Sequence, residues 1–205
     1  MKNYSIVFCF VCISCILVFT QCSENKREPQ TVEAAPPQAT NFGGYASQEE
    51  WGQHLVTIGG CNDCHTPKKM TDHGPDFDSA LLLSGHPAQS PPHPDVNRKE
   101  MEMKGLIVTN DLTVWAGPWG VSYTANLTSD STGIGNWKEE QFIYALRYGK
   151  LKGLPGSRSL LPPMPWNATK EMTDGELKAV FAFLKATKPI HNIVPAPLPP
   201  IAAVH

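Results

Sequence analysis

Three stretches of the 205-residue chain repeat apolar side chains at helical spacing, each between start and stop signals. The first opens with Ser47-Gln48-Glu49-Glu50, a capping box with Ser47 at the N-cap and Glu50 three residues on. Trp51, Leu55 and Ile58 then share a face, and Gly59-Gly60 stops the helix. Trp51 and Leu55 are expected in the core. The second runs from Asn136 as N-cap, with Glu139 three residues later, through Phe142, Ala145 and Leu146 to Gly149. The third opens on another capping box, Thr173-Asp174-Gly175-Glu176, and carries the stripe Leu177, Val180, Phe181 and Leu184. Between them, Thr66 to Gly85 reads as a loop containing Gly74-Pro75, and 86–104, rich in proline and charge, as an exposed excursion. Leu106 to Tyr123 alternates in part and predicts a short hairpin or two extended segments around Gly117-Pro118. Leu160 to Trp166 holds three prolines and predicts a stiff loop.

The ends differ from this middle. After Met1-Lys2-Asn3, residues Tyr4 to Thr20 are almost wholly apolar, shorter than a full membrane span and closer to an export signal. Cys22 closes that run as a lipidated cysteine closes a bacterial lipobox, although Phe19-Thr20-Gln21 departs from the usual small-residue pattern. The competing reading is an uncleaved N-terminal anchor; either one places the rest of the chain outside the cytoplasm. Residues 23–46 hold charge, proline, alanine and glutamine but few bulky apolar residues, the composition of a disordered tether. A single domain over 47–188 follows, then a proline-rich tail over 189–205 that is expected to leave it. A formal net charge of −2 gives no basis for nucleic-acid binding.

Candidate chemistry centres on Cys61-Asn62-Asp63-Cys64-His65. C-x-x-C-H is the spacing of c-type haem attachment: two thiols one helical turn apart meet the two vinyl groups, and the next imidazole faces the iron. A zinc site would need a second ligand pair, and no cysteine follows Cys64. A thiol redox pair would want a βαβ setting, which the pattern lacks. The six cysteines then divide without remainder: Cys9, Cys12 and Cys15 leave with the signal, Cys22 takes lipid, and Cys61 and Cys64 take haem. No disulfide is expected.

The order helix, C-x-x-C-H, Gly-Pro loop, helix, Met-Pro loop, helix resembles a class I c-type cytochrome with one haem. Ala125-Asn126-Leu127-Thr128, Thr132-Gly133-Ile134-Gly135-Asn136-Trp137 and Met164-Pro165-Trp166 are similar to the haem modules of cytochrome subunits of bacterial periplasmic alcohol and aldehyde dehydrogenases. The resemblance covers about residues 47–187. It implies a mostly α fold, three main helices around one covalently bound haem c, here with a long loop or short β insertion at 86–120. It also implies that the Gly-Pro loop, at Pro75, offers the carbonyl that orients His65. Tyr123, Asn126, Trp137 and Arg147 are candidate donors to the haem propionates, with a solvated helix position the equal alternative for Arg147. Trp115 and Trp119 are expected to cover either the haem or the core.

For the sixth iron ligand, thioether and imidazole are the candidates. Met70 lies close to His65 in sequence, Met101 and Met103 fall in the polar excursion, and Met172 sits at the last helix cap. Met164, between Pro163 and Pro165, is held in a loop of low entropy and matches the family's ligand loop. His86 and His93 are the alternatives. With both axial positions filled, the expectation is a non-catalytic carrier of one electron. Its donor would be a dehydrogenase or quinol-oxidising complex and its acceptor an oxidase or reductase, on the periplasmic side of a membrane. A haem-based sensor with an open sixth position, or an electron-transfer subunit of a larger dehydrogenase, is the alternative.

Overall fold

The computed structural model describes residues 41–90 and 96–201, so the signal-type segment, Cys22, most of the tether and His93 lie outside the described residues. Helix α1 spans Gln48–Ile58, with Ser47 Oγ accepting the Glu50 N–H at 3.1 Å. The Glu50 carboxylate takes the N–H of Ala46 at 3.2 Å, one residue earlier than a regular capping box. Gly52 and Val56 are the buried positions, while Ile58 is 66% exposed. The buried stripe is therefore displaced by one position from the expected Trp51-Leu55-Ile58 face.

The C-terminal helix causes the displacement. Helix α6, Asp174–Ala186, begins at a complete capping box between Thr173 and Glu176 and buries Leu177, Val180, Phe181 and Leu184 as the stripe requires. Its backbone lies against Gly52, where a Cβ would come within 1.9 Å of the Ala179 carbonyl oxygen. Helix α4, Glu139–Tyr148, starts after Lys138 rather than Asn136, because the Trp137 N–H closes a turn onto the Ile134 carbonyl at 2.9 Å. Phe142 and Ala145 are its buried face, and Gly149 ends it at φ 60, flat against the Trp166 indole. Val56, Leu83, Ile134, Phe142, Val180 and Leu184 join these helices in one core.

Two expectations about the rest require correction. The loop after the C-x-x-C-H motif contains a hairpin: β1, Lys68–Thr71, pairs antiparallel with β2, Gly74–Phe77. The segment 86–104, expected to be an exposed excursion, contains helix α3, Arg98–Met103, with Met101 and Glu102 buried. The charge that disguised it is paired inside the fold, Arg98 to Glu102 at 2.9 Å one turn apart. Strands β3 (Val108–Thr109), β4 (Val114–Gly117) and β5 (Gly120–Tyr123) form an antiparallel sheet. Met101, Val114, Ala116 and Val121 make a second apolar cluster there.

The tail does not leave the domain. Leu198 pairs with Val121 on the free edge of β5, the Arg98 guanidinium donates to the Pro199 carbonyl at 2.8 Å, and the Ile201 N–H donates to Glu102 at 2.6 Å. Asn192 is the central clasp. Its amide nitrogen donates to the carbonyls of Ser84 (2.7 Å) and His86 (2.9 Å), and its oxygen accepts the Ala88 N–H at 3.0 Å. Ser84 and His86 are buried, and a buried carbonyl that loses its hydrogen-bond partner costs free energy. Asn192→Ala is expected to lower the unfolding free energy by about 2–4 kcal/mol. A urea denaturation midpoint that does not move would show that the strap is not held through Asn192.

Candidate functional site

The C-x-x-C-H stretch forms its own short helix, α2, Cys61–His65, entered through Gly60 at φ 65. Left-handed backbone favours glycine there, and a Cβ would also lie 2.9 Å from an Asp63 carboxylate oxygen. One helical turn places Cys61 and Cys64 on the same face, with Cys61 packed against the edge of the main core. Burial pushes the Cys61 thiol up to about 11, against a backbone hydrogen bond that lowers it, and burial raises Cys64 as well. Both are therefore neutral thiols at pH 7.

His65 is held from two sides. Its Nδ1 lies 2.7 Å from the Ala125 carbonyl oxygen, which only accepts, so Nδ1 carries the hydrogen and Nε2 keeps its lone pair. Burial lowers its pKa, opposed by the Ala125 bond, and the nearby Lys68 charge lowers it further. The imidazole is thus neutral and of fixed tautomer, the form in which it binds metal. Its own carbonyl accepts the Gly85 N–H at 2.8 Å. Gly85, at φ 76, runs so close to Thr124 and Ala125 that a Cβ would meet the Ala125 carbonyl carbon at 2.5 Å. Thr66, fully buried, donates to Asn62 at 2.8 Å and accepts the Leu83 N–H at 2.9 Å, fixing the exit of the turn.

The orienting carbonyl is the correction to Pro75. The Gly-Pro pair is taken up in β2, where Pro75 stands opposite Met70, and the segment through Ala125 reaches His65 instead. Asn126 shapes that segment. Its oxygen accepts the N–H (2.9 Å) and hydroxyl (2.8 Å) of Thr128, and its nitrogen donates to Thr132 (3.1 Å) and the Ile190 carbonyl (2.8 Å). Its donors are thus engaged within the protein, and they hold the turn that follows the Ala125 carbonyl. A backbone acceptor leaves no mark in the sequence; the Asn126-x-Thr128 turn pattern was the signal available.

Arg147 is likewise engaged elsewhere. Its guanidinium bonds the carbonyls of Lys170 and Met172 and the Asp174 carboxylate, joining the end of α4 to the start of α6. Trp137 is half-buried at the edge of the main core. Tyr123 is half-buried, with its ring 5.1 Å from that of His86. Burial raises the Tyr123 phenol.

Met164 is half-buried in a loop that is tied down on both sides. Its N–H donates to the Leu161 carbonyl at 3.2 Å, and its carbonyl accepts the N–H of Trp166 at 2.9 Å, where the short helix α5, Trp166–Thr169, begins. Ser122 of β5 donates to the Pro162 carbonyl and accepts the Trp119 indole N–H at 3.1 Å. Trp119 thereby braces the methionine loop, while the Trp115 indole caps the Leu112 carbonyl at 2.7 Å. The rival ligands are placed differently. His86 is 1% exposed, with Nδ1 2.8 Å from the Thr113 hydroxyl and its ring on Tyr123. Met70 and Met103 point to solvent, and Met101 belongs to the second cluster.

Lys68, at the start of β1, closes the far end of α2. Its ammonium donates to the Asp63 carbonyl and, at 2.8 Å, to that of Thr66, and it lies 5.4 Å from the centroid of Phe77. Among the described residues no group of three or more His, Cys, Asp or Glu side chains could hold a metal ion. Thiols, a neutral imidazole and a thioether are donor types that suit a haem.

Comparison with known proteins points the same way. No family model matches the chain. Over 170 residues, 82% of its length, it is 26% identical to a nicotinate dehydrogenase subunit of Pseudomonas putida, covering 11% of that protein. It is 28% identical over 162 residues, 78% of its length, to the fructose dehydrogenase cytochrome subunit of Gluconobacter japonicus, covering 25% of it. Over 81 residues, 39% of its length, it is 32% identical to the gluconate 2-dehydrogenase cytochrome c subunit of Pantoea cypripedii, covering 17% of that protein. The chain thus spans a quarter or less of each of these relatives, and what it resembles in them is a segment of dehydrogenase subunits, two of them named as cytochromes.

Proposed function

We propose that this chain carries one covalently attached haem c and passes single electrons between a dehydrogenase and a downstream acceptor, without catalysing a reaction of its own. The observation that carries this reading is His65: directly after two thiols one turn apart, its ring is locked by the Ala125 carbonyl with Nε2 left as the donor atom. When bound, the haem supplies a one-electron couple. Cys61 and Cys64 would hold it through thioether bonds, and His65 and Met164 would ligate its iron. Two protein ligands on the iron favour electron transfer over oxygen chemistry. The packing of α1 on α6, with α4 beside them, supports a class I cytochrome arrangement.

The apolar run ending at Cys22 supports export and lipid anchoring on the periplasmic side of a membrane. Acyl groups on Cys22 in the mature protein, read by mass spectrometry, would test this. Among the described residues no helix is long and apolar enough to cross a membrane.

Haem that stays with the chain on a denaturing gel, with the spectrum of a six-coordinate low-spin c-type haem, is the expected result for the full-length protein. Met164→Ala is expected to keep the covalent haem, lose the methionine–iron absorption band of the oxidised protein and admit added imidazole. A variant with the wild-type spectrum and potential would exclude Met164 as a ligand.

A further inference from the structure

The carrier reading leaves one charged group of the site without a role. Lys68 is half-buried, and its ammonium is pinned to the carbonyls of Asp63 and Thr66, the two residues that bracket Cys64 and His65. Two backbone acceptors and the face of Phe77 fix its position, so it is not a solvated surface lysine that happens to lie near the site. Burial lowers its pKa, while the negative charge of Asp111 supports the ammonium form. Asp111 is itself anchored, accepting the N–H and hydroxyl of Thr113 at 2.9 and 2.7 Å.

We infer that Lys68 is a positioning and tuning residue for electron transfer: its fixed positive charge beside the His65 turn raises the reduction potential of the site. The inference rests on the haem reading above. One electron taken from the donor, with no proton following it, lowers the positive charge of the centre by one. A fixed cation nearby disfavours the oxidised form, which carries the extra positive charge, and so favours uptake. Coulomb's law at an effective dielectric of about 20 makes a unit charge on the order of 12 Å away worth about a tenfold change in the ratio of reduced to oxidised centre. Partial burial keeps salt from screening that effect fully. Asp111 acts in the opposite sense by offsetting part of the charge. Because the ammonium also caps the last carbonyls of α2, Lys68 holds in place the turn that it polarises.

The test is a spectroelectrochemical titration of the full-length holoprotein at fixed ionic strength and pH 7. Lys68→Gln, which keeps an N–H donor and loses the charge, is expected to lower the reduced-to-oxidised ratio about tenfold at a given potential, a shift of about 59 mV for one electron. Lys68→Arg is expected to stay within about twofold of wild type, since charge is retained. Asp111→Asn, which keeps the acceptor for Thr113, is expected to raise the ratio. A haem-bearing Lys68→Gln protein with the wild-type potential overturns the inference, and so does Lys68→Arg falling as far as Lys68→Gln, because geometry rather than charge would then set the potential. If Lys68→Gln does not fold, the absence of a rise in Asp111→Asn overturns it. Wild-type chain without covalent haem overturns the carrier reading and this inference together, whereas haem present with unmoved potentials overturns only the latter.

Discussion

Cys61→Ala together with Cys64→Ala is expected to abolish covalent haem and leave most of the chain unfolded. The reason lies in where these side chains stand. Cys61 borders the main core formed by α1, α4 and α6, and the turn carrying both cysteines leads into Thr66, whose hydroxyl holds Leu83 in that core. A haem joined at this turn would be part of the apolar interior, and a cofactor bound only by the folded state stabilises it by mass action or, when covalent, outright. Losing it would remove apolar surface from that interior. The checks are haem staining after denaturing electrophoresis and far-ultraviolet circular dichroism of the apo variant. Haem migrating with the denatured double variant would contradict the attachment; native helicity without haem would contradict the structural part.

Gly52→Ala is expected to destabilise the domain by about 3 kcal/mol, although alanine is by about 1 kcal/mol the better helix former. Its added carbon would lie 1.9 Å from the Ala179 carbonyl oxygen and 2.8 Å from Phe183 Cβ. Relief requires moving α1 away from α6 along their shared length. Gly175→Ala in the first turn of α6 is the control. There a Cβ meets nothing nearer than 3.5 Å, in ordinary contact with the Trp51 ring. That variant is expected to gain up to about 1 kcal/mol from propensity. Equal denaturation midpoints for the two variants would show that the crossing at Gly52 is not close.

These two glycines also show what a sequence can convey. Thr173 and Glu176 declared the start of α6, and the stripe from Leu177 to Leu184 declared its buried face, because caps and periodicity are local. Gly52 carried no such message: a residue without a side chain adds nothing to an apolar stripe, so Trp51 and Ile58 outweighed it. Arg98 and Glu102 misled for the opposite reason, since a pair of charges reads as solvent-facing until the partner is seen one turn away. At the site, Cys61, Cys64 and His65 were legible from side-chain chemistry and spacing. The carbonyl of Ala125 was not, because every residue has one and only the path of the chain selects it. The proline-rich stretch after Lys188 lacked periodicity and read as loose, yet its order comes from Asn192 and Leu198 meeting partners distant in sequence.

That strap has a consequence for the order of events during synthesis. Asn192 reaches back to residues 104 to 108 positions earlier, and Arg98 and Glu102 meet the strap across 101 and 99 positions. Each closure costs loop entropy that nothing repays until both ends exist. A chain growing from its N-terminus therefore has α1, the cysteine turn and the sheet in hand while α6, Asn192 and Leu198 are still unmade. Neither the helix crossing at Gly52 nor the clasp can close before α6 and the strap through Leu198 emerge. Until then the two thiols sit on an open, unlatched chain, and the stretch from Asp174 to Ile201 decides when the domain shuts.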